Sequence, residues 1–259
     1  MKTKFEISSF TLHILAMAFM LLDHLWATFF GSQRWLTCIG RLAFPIFAFM
    51  CVEGFFYTRN FKKYVLRMLV FALISEVPFD LIYSGAFFYP FHQNVLWTFL
   101  LGLLCLKGFE WAKTKKRWQE ILFILLIGAG GALAGTILMF DYFAFGILTI
   151  FAFYFFRGRK WYNFALQFAA MVAIHYFGFG GQVYPVEIFG RNIELVQQGL
   201  AVLALPIIWL YKGKQGPHSK PIQYMFYGFY PGHLLVLWII YKLCLKADFS
   251  AIFSFFALG

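Results

Sequence analysis

Apolar runs of roughly 17 to 25 residues recur from one end of the chain to the other, parted by short polar connections, and each has the length of a helix that crosses the hydrocarbon core. The pattern predicts nine spans, at about residues 7–30, 36–57, 62–84, 93–110, 118–139, 141–157, 161–178, 193–211 and 221–245. The last residues, FSAIFSFFALG, are apolar but too short to span, which predicts a short interfacial or re-entrant helix. The expected fold class is therefore all-α. Residues 1–259 form one polytopic integral membrane bundle of about nine transmembrane helices plus a short C-terminal apolar helix.

Composition strengthens that reading. Of 259 residues, 62% are hydrophobic and 13% charged, and the mean hydropathy is +0.73, far from a soluble domain. Lys2 and Lys4 ahead of the first run imitate a signal peptide. That run holds His13, Asp23 and His24 and lacks a small-x-small cleavage site, so it reads as an uncleaved first helix.

The net charge of +11 raises the question of nucleic acid, and its distribution answers no. Most Lys and Arg residues fall in alternate connections: Lys2 and Lys4; Arg59, Lys62, Lys63 and Arg67; Lys107, Lys113, Lys115, Lys116 and Arg117; Arg157, Arg159 and Lys160; Lys212, Lys214 and Lys220. The positive-inside rule then puts these connections and the N-terminus in the cytoplasm. Cys38, Cys51, Cys105 and Cys244 stand singly, without ligand spacing, so neither a disulfide framework nor a metal site is expected. GAGGALAG, residues 128–135, has the small-residue spacing that lets helices approach closely.

Orientation gives each intramembrane polar residue a depth. Asp23, His24 and Arg41 fall in the outer half, Glu53 near the cytoplasmic end, Glu76 and Asp80 four apart near the outer end of the third span, and His92 and Asn94 at the start of the fourth. The outer connection from Gly178 to Gln198 adds Tyr184, Glu187, Arg191, Asn192, Glu194, Gln197 and Gln198. YPGH, residues 230–233, lies inside the ninth span, where Pro231 and Gly232 predict a weakened, widened helix around His233. An ionisable group in lipid costs about 2.5 to 3.5 kcal/mol on insertion scales, so such a cluster means either mutual pairing, as of Arg41 with Asp23, Glu76 or Asp80, or a shared polar cavity. Asp23 and His24 point about 100° apart on a helix, which casts Asp23 as partner to another span and leaves His24 for the cavity. His24 also titrates near neutrality, as a general base must.

LLDH in the first span, IGRLAFPIFAFMCVEGFFYTRNFKKYVLRMLVFALISEVPFDL from Ile39, QNVLWTFLLG, GGQVYPVEI and FYPGHL resemble the TraX family of integral membrane proteins. That family is named for acetylation of the N-terminus of conjugative F-pilin and is grouped with the transmembrane acyltransferases. The resemblance implies an enzyme that moves an acyl group, typically acetyl from acetyl-CoA, to an amine or hydroxyl of a peptide, lipid or surface glycan. It implies His24 as base, and carries Asp23, Arg41, Glu53, Arg59, Asn60, Glu76, Asp80, Asn94 and His233 as motif positions. On this reading Arg59, Asn60, Lys62, Lys63 and Arg67 hold the acyl-CoA phosphates, Asn94 or Arg41 steadies the oxyanion, and Tyr184, Glu187, Arg191 and Gln198 meet the acceptor. Direct transfer and an acetyl-histidine intermediate both remain open, as does oligomerisation. The competing class is a proton- or solute-coupled transporter that uses the same polar cluster.

Overall fold

A computed structural model describes residues 6–188 and 190–246. The elements, in order, are α1 (Ser9–Thr28), α2 (Arg34–Gly40), α3 (Ala43–Tyr57), α4 (Phe61–Tyr83), α5 (Val95–Ala112), α6 (Arg117–Ile137), α7 (Phe143–Phe155), α8 (Trp161–Met171), a π-helical turn (Val172–Gly178), β1 (Val183–Ile188), β2 (Arg191–Val196), a 3₁₀ segment (Gln197–Leu203), α9 (Ala204–Trp209) and α10 (Lys220–Lys246). The protein is thus nearly all-α. Helix starts follow local chemistry: the Ser8 hydroxyl caps α1 by accepting from Thr11 N, Asn60 caps α4 by accepting from Lys63 N, and Asn94 caps α5 by accepting from Leu96 N.

Helical segments fall where the apolar runs predict them, with three differences. The second run breaks at Arg41–Leu42 into α2 and α3. The eighth, expected as a span from 193, begins inside a hairpin instead: β1 and β2 pair antiparallel with Val183 opposite Val196 and Ile188 opposite Arg191, and the helical part starts at Gln197. Gly190, at a φ of 73°, makes the turn, a conformation open to glycine. Finally, α10 runs unbroken through Pro231 and α4 through Pro78, so the expected opening at YPGH is absent. A proline removes one backbone donor, and packing on a neighbouring helix holds the rest of each turn. The expected C-terminal helix of residues 249–259 lies outside the described residues.

Among the described residues, four segments are long and apolar enough to cross a membrane: Ser9–Thr28, Arg34–Tyr57, Val95–Ala112 and Arg117–Ile137. α3, α5 and α7 supply the middle of the core through Phe44, Ile46, Leu103, Leu106, Phe109, Ile147, Ile150 and Phe153, with Leu12 of α1 and Leu205 and Ile208 of α9 closing on it. The outside is apolar as well. Leu66, Leu73 and Ile74 on α4, Leu125, Leu126 and Leu133 on α6, and Val236, Ile239 and Ile240 on α10 are exposed, a surface that water would not tolerate at this extent and that lipid requires.

Polar contacts gather instead at the two ends of the bundle. At one end Arg157 binds Glu53 through Nε at 2.6 Å and Nη2 at 3.3 Å, Tyr154 donates to Glu110 at 2.5 Å, and Arg159 donates to the carbonyls of Tyr211 at 2.6 Å and Trp209 at 3.2 Å, closing the end of α9. Lys212 bonds Glu6 at 3.0 Å and holds its carboxyl below the usual range. This end carries most of the basic connections. At the other end lie Asp23, His24, Arg41, His92, Asp141 and His175. The helical segments therefore alternate in direction between a basic end and a histidine end.

GAGGALAG packs as its spacing predicts: Gly131 and Gly135 are buried, and a Cβ at Gly131 would lie 2.6 Å from Cys105 Sγ of α5. A Cβ at Gly130 meets nothing within 4 Å. Gly131→Leu is expected to lower stability by about 1–3 kcal/mol through overpacking, and Gly130→Leu to leave it undiminished, read as unfolding midpoints in the same detergent.

Candidate functional site

At the histidine end the chain brings together side chains from α1, α2, the α2–α3 joint, α7, the π turn, the 3₁₀ segment and α10. The first group is a buried network. Arg41, at the α2–α3 break, turns its Nη2 onto both carboxylate oxygens of Asp23. Asp23 Oδ1 also accepts from the Thr37 hydroxyl at 2.7 Å, and Thr37 in turn accepts from Gln197 Nε2 at 2.8 Å. Gly40 permits the approach, because a Cβ there would come within 2.5 Å of Asp23 Cβ. On its other side Arg41 Nη1 donates to Gln198 Oε1 at 3.3 Å, and Gln198 Nε2 lies 3.0 Å from His175 Nδ1.

That sequence of contacts assigns a tautomer. Gln198 must turn its oxygen to the guanidinium and its NH₂ to His175, so Nδ1 of His175 accepts and its proton sits on Nε2. Nε2 then donates to the Thr149 hydroxyl at 3.0 Å, which donates onward to the Phe145 carbonyl at 2.8 Å. His175 is fully buried, in a π-helical turn that rotates it inward between α8 and the hairpin.

The second group is a histidine pair. His24 Nδ1 lies 2.7 Å from His233 Nε2, and His233 Nδ1 lies 2.7 Å from the Phe229 carbonyl one turn back on α10. The carbonyl can only accept, so neutral His233 carries its proton on Nδ1 and offers Nε2 as an acceptor. His24 must then donate from Nδ1. Its own Nε2 is left as a lone pair, without a hydrogen-bond partner among the described residues. His233 stacks on Phe229, with Tyr230 beside both imidazoles. Asp23, Asp141 and Arg41 lie within electrostatic range of His24.

Asp141 and Tyr142 reach the cluster through a strained turn in which Met139, Tyr142 and Phe143 all have positive φ, at 54°, 66° and 46°. Tyr142 stacks on Phe44 at 3.8 Å, and Asp141 faces His92 at 3.5 Å.

The other expected site residues divide. Asn94 is fully buried and committed: its Nδ2 donates to Ala72 O at 2.9 Å and Glu76 Oε1 at 2.8 Å while its oxygen caps α5. Glu76 Oε1 takes Trp97 Nε1 at 2.5 Å as well, and Asp80 Oδ2 accepts from Tyr89 N at 2.9 Å. These three residues tie α4 to α5 and its loop, and leave no donor for an oxyanion. Gln198 belongs to the buried network, not to an acceptor surface, because both ends of its amide are engaged. Tyr184 donates to Gln182 at 2.6 Å beneath the Arg34 guanidinium, Glu187 is exposed, and the Arg191 side chain lies outside the described residues. Arg59, Lys62 and Lys63 are exposed around the start of α4, where Asn60 is the cap. Arg67, half-buried beside the Tyr227 hydroxyl, has an Nε without a hydrogen-bond partner.

A cavity of about 350 Å³ opens between the ends of α1, α4 and α10, one turn beyond the histidine pair, lined by Ala27, Thr28, Leu81–Gly85, Trp238, Tyr241 and Lys242.

Apolar helices of membrane-crossing length around a buried polar layer make this a helical membrane protein. It belongs to the TraX family: the family model, described as "TraX protein", matches residues 8–241. The chain is 31% identical over 252 residues to the "Probable fimbrial assembly protein FimC, serogroup H1" of Dichelobacter nodosus, covering 92% of this chain and 97% of that one. It is 30% identical over 125 residues to "Protein TraX" of Escherichia coli, covering 47% of this chain and 46% of that protein. No solved structure matches it.

Arg41→Ala is expected to cost about 3–5 kcal/mol of stability by leaving Asp23 uncompensated, and adding Asp23→Ala to restore part of it. Chemical unfolding of the two variants in one bilayer mimetic measures the difference.

Proposed function

We propose that this protein is a membrane acyltransferase that moves an acyl group, of which acetyl is the simplest, from acyl-CoA to an amine or hydroxyl acceptor, with His24 Nε2 as general base. The observation that carries the reading is the His24–His233 pair, whose hydrogen bonds hold His24 in the tautomer with a free Nε2 beside a polar layer inside an apolar bundle. The acceptor nitrogen or oxygen attacks the thioester carbonyl, and His24 Nε2 takes its proton. The C–S bond breaks, and the proton passes to the departing thiolate, giving the acylated acceptor and free CoA thiol. His233 is a positioning residue in this scheme.

Acyl-CoA fits the basic end. Arg59, Lys62 and Lys63 are free to meet phosphates, and the unpartnered Arg67 Nε is a ready donor. Arg67 meets α10 at Tyr227, and from there to His233 is six residues, roughly 9 Å of helix. Lys63 is four residues back along α4, so phosphate and reacting carbonyl are spaced roughly 15 Å apart, as an extended pantetheine arm demands.

The same scheme places all nine helical traverses across the bilayer of a bacterial plasma membrane with the basic end in the cytoplasm. The shorter apolar helices, Phe143–Phe155 and Gln197–Trp209, cross inside protein walls where lipid thickness does not set their length.

Labelled acetyl-CoA with purified protein in nanodiscs tests the reading. His24→Ala is expected to abolish transfer and hydrolysis, and His233→Ala to lower kcat by about 10²–10⁴-fold. His233→Gln, whose amide oxygen can still accept from His24 Nδ1, is expected to recover much of that loss. Full activity in His24→Ala, or solute flux that proceeds without acyl-CoA, contradicts the proposal.

A further inference from the structure

The cavity at the end of α1, α4 and α10 has an uneven supply of hydrogen-bond donors. The Thr28 hydroxyl donates to the His24 carbonyl at 2.7 Å and the Ser84 hydroxyl to the Asp80 carbonyl at 2.9 Å, so both hydroxyl protons are spent. Lys242 is not spent in this way: it has no acidic partner among the described residues, and the Tyr83 and Tyr241 side chains share the wall with it. No carboxylate lines the cavity, whose remaining wall is apolar and aromatic. An ammonium on the wall of a cavity that has no carboxylate favours an acceptor that is itself anionic.

The cavity is also spaced along the two helices that carry the histidine pair. Ala27 and Thr28 are three and four residues beyond His24, on its own face of α1. On α10, Trp238 lies five residues beyond His233 and Lys242 nine, or roughly 7 and 13 Å along the axis. We infer that this cavity binds the acyl acceptor, and that the acceptor is an amphiphile with an anionic group, carboxylate or phosphate, held by Lys242 while its amine or hydroxyl reaches His24 Nε2. The inference rests on the acyltransferase reading for its reaction and on the cavity alone for its binding. It moves the acceptor from the Tyr184–Glu187 hairpin to the α1–α4–α10 corner.

Two measurements separate the claims. For binding, Ala27→Cys in a Cys38→Ser, Cys244→Ser background is labelled with N-ethylmaleimide in nanodiscs of zwitterionic lipid, without acyl-CoA; Ser84→Cys serves if the first variant fails to fold. ω-Aminooctanoate is expected to slow labelling at least fivefold, octylamine to have little effect, and Lys242→Gln to remove the protection. For transfer, the wild-type protein with acetyl-CoA is expected to show a KM for ω-aminooctanoate about tenfold below that for octylamine, and Lys242→Gln to bring the ratio near one. Protection without transfer leaves the anion site standing and removes the acyltransferase reading. Transfer without protection, or a preference that survives Lys242→Gln, overturns the site. Equal protection by both probes means an apolar cavity with no anion selectivity and overturns it too.

Discussion

The bundle's histidine end depends on one partly buried ion pair, Arg41 with Asp23. Two charges held largely inside an apolar body are tolerable only if most donors and acceptors around them are met, and the neighbours are arranged to that end, with the Arg41 Nε left without a hydrogen-bond partner among the described residues. Thr37 and Gln197 complete the aspartate's side, while Gln198 and His175 take up the guanidinium's. The pair needs a residue without a Cβ at Gly40 so that Asp23 can come close, and needs the 3₁₀ segment to deliver Gln197 and Gln198 side by side. Backbone irregularity in this protein is concentrated where the polar residues are: the α2–α3 joint, the π turn at His175, the strained turn at Tyr142 and the 3₁₀ segment. In a membrane bundle such departures persist only against protein or a polar space, and both are present here.

The division of labour between the adjacent residues Asp23 and His24 follows from that frame. Helical geometry turns Asp23 toward α2 and His24 toward α10. Asp23 is fully occupied as a structural anion, whereas His24 has one nitrogen engaged and one free. A saturated network is a poor proton carrier and a good foundation. The free Nε2 is a base at this end whose orientation is fixed by a partner rather than used up by it, which is why the proposed chemistry falls to His24.

Much of this was legible in the sequence because it follows from length and periodicity. Apolar runs of bilayer length located the helices, the basic connections marked one end, and the 100° step separated Asp23 from His24 and pointed it to Arg41. What the sequence hid depended on contacts between distant segments. His175 carries no local signal, since its inward turn comes from a π-helical register that no residue pattern announces. Asp141 and Tyr142 sit in a connection with three positive-φ residues that are not glycine, so the usual turn marker was missing. Asn94, Glu76 and Gln198 looked like chemistry and proved to be caps and ties, because an unpaired polar residue and a paired one read the same until the partner is seen. YPGH suggested a broken helix, but Pro231 is accommodated by α10's packing on α4.

The central claim is that His24 presents an unprotonated Nε2, with its proton held on Nδ1 by His233. Nitrogen NMR of the histidine side chains, in uniformly ¹⁵N-histidine-labelled protein in nanodiscs with His24 assigned by its absence in His24→Gln, tests this directly. The account predicts a hydrogen-bonded N–H at His24 Nδ1 coupled to His233, and an Nε2 resonance of the unprotonated type. A proton on His24 Nε2 with Nδ1 as acceptor would contradict it.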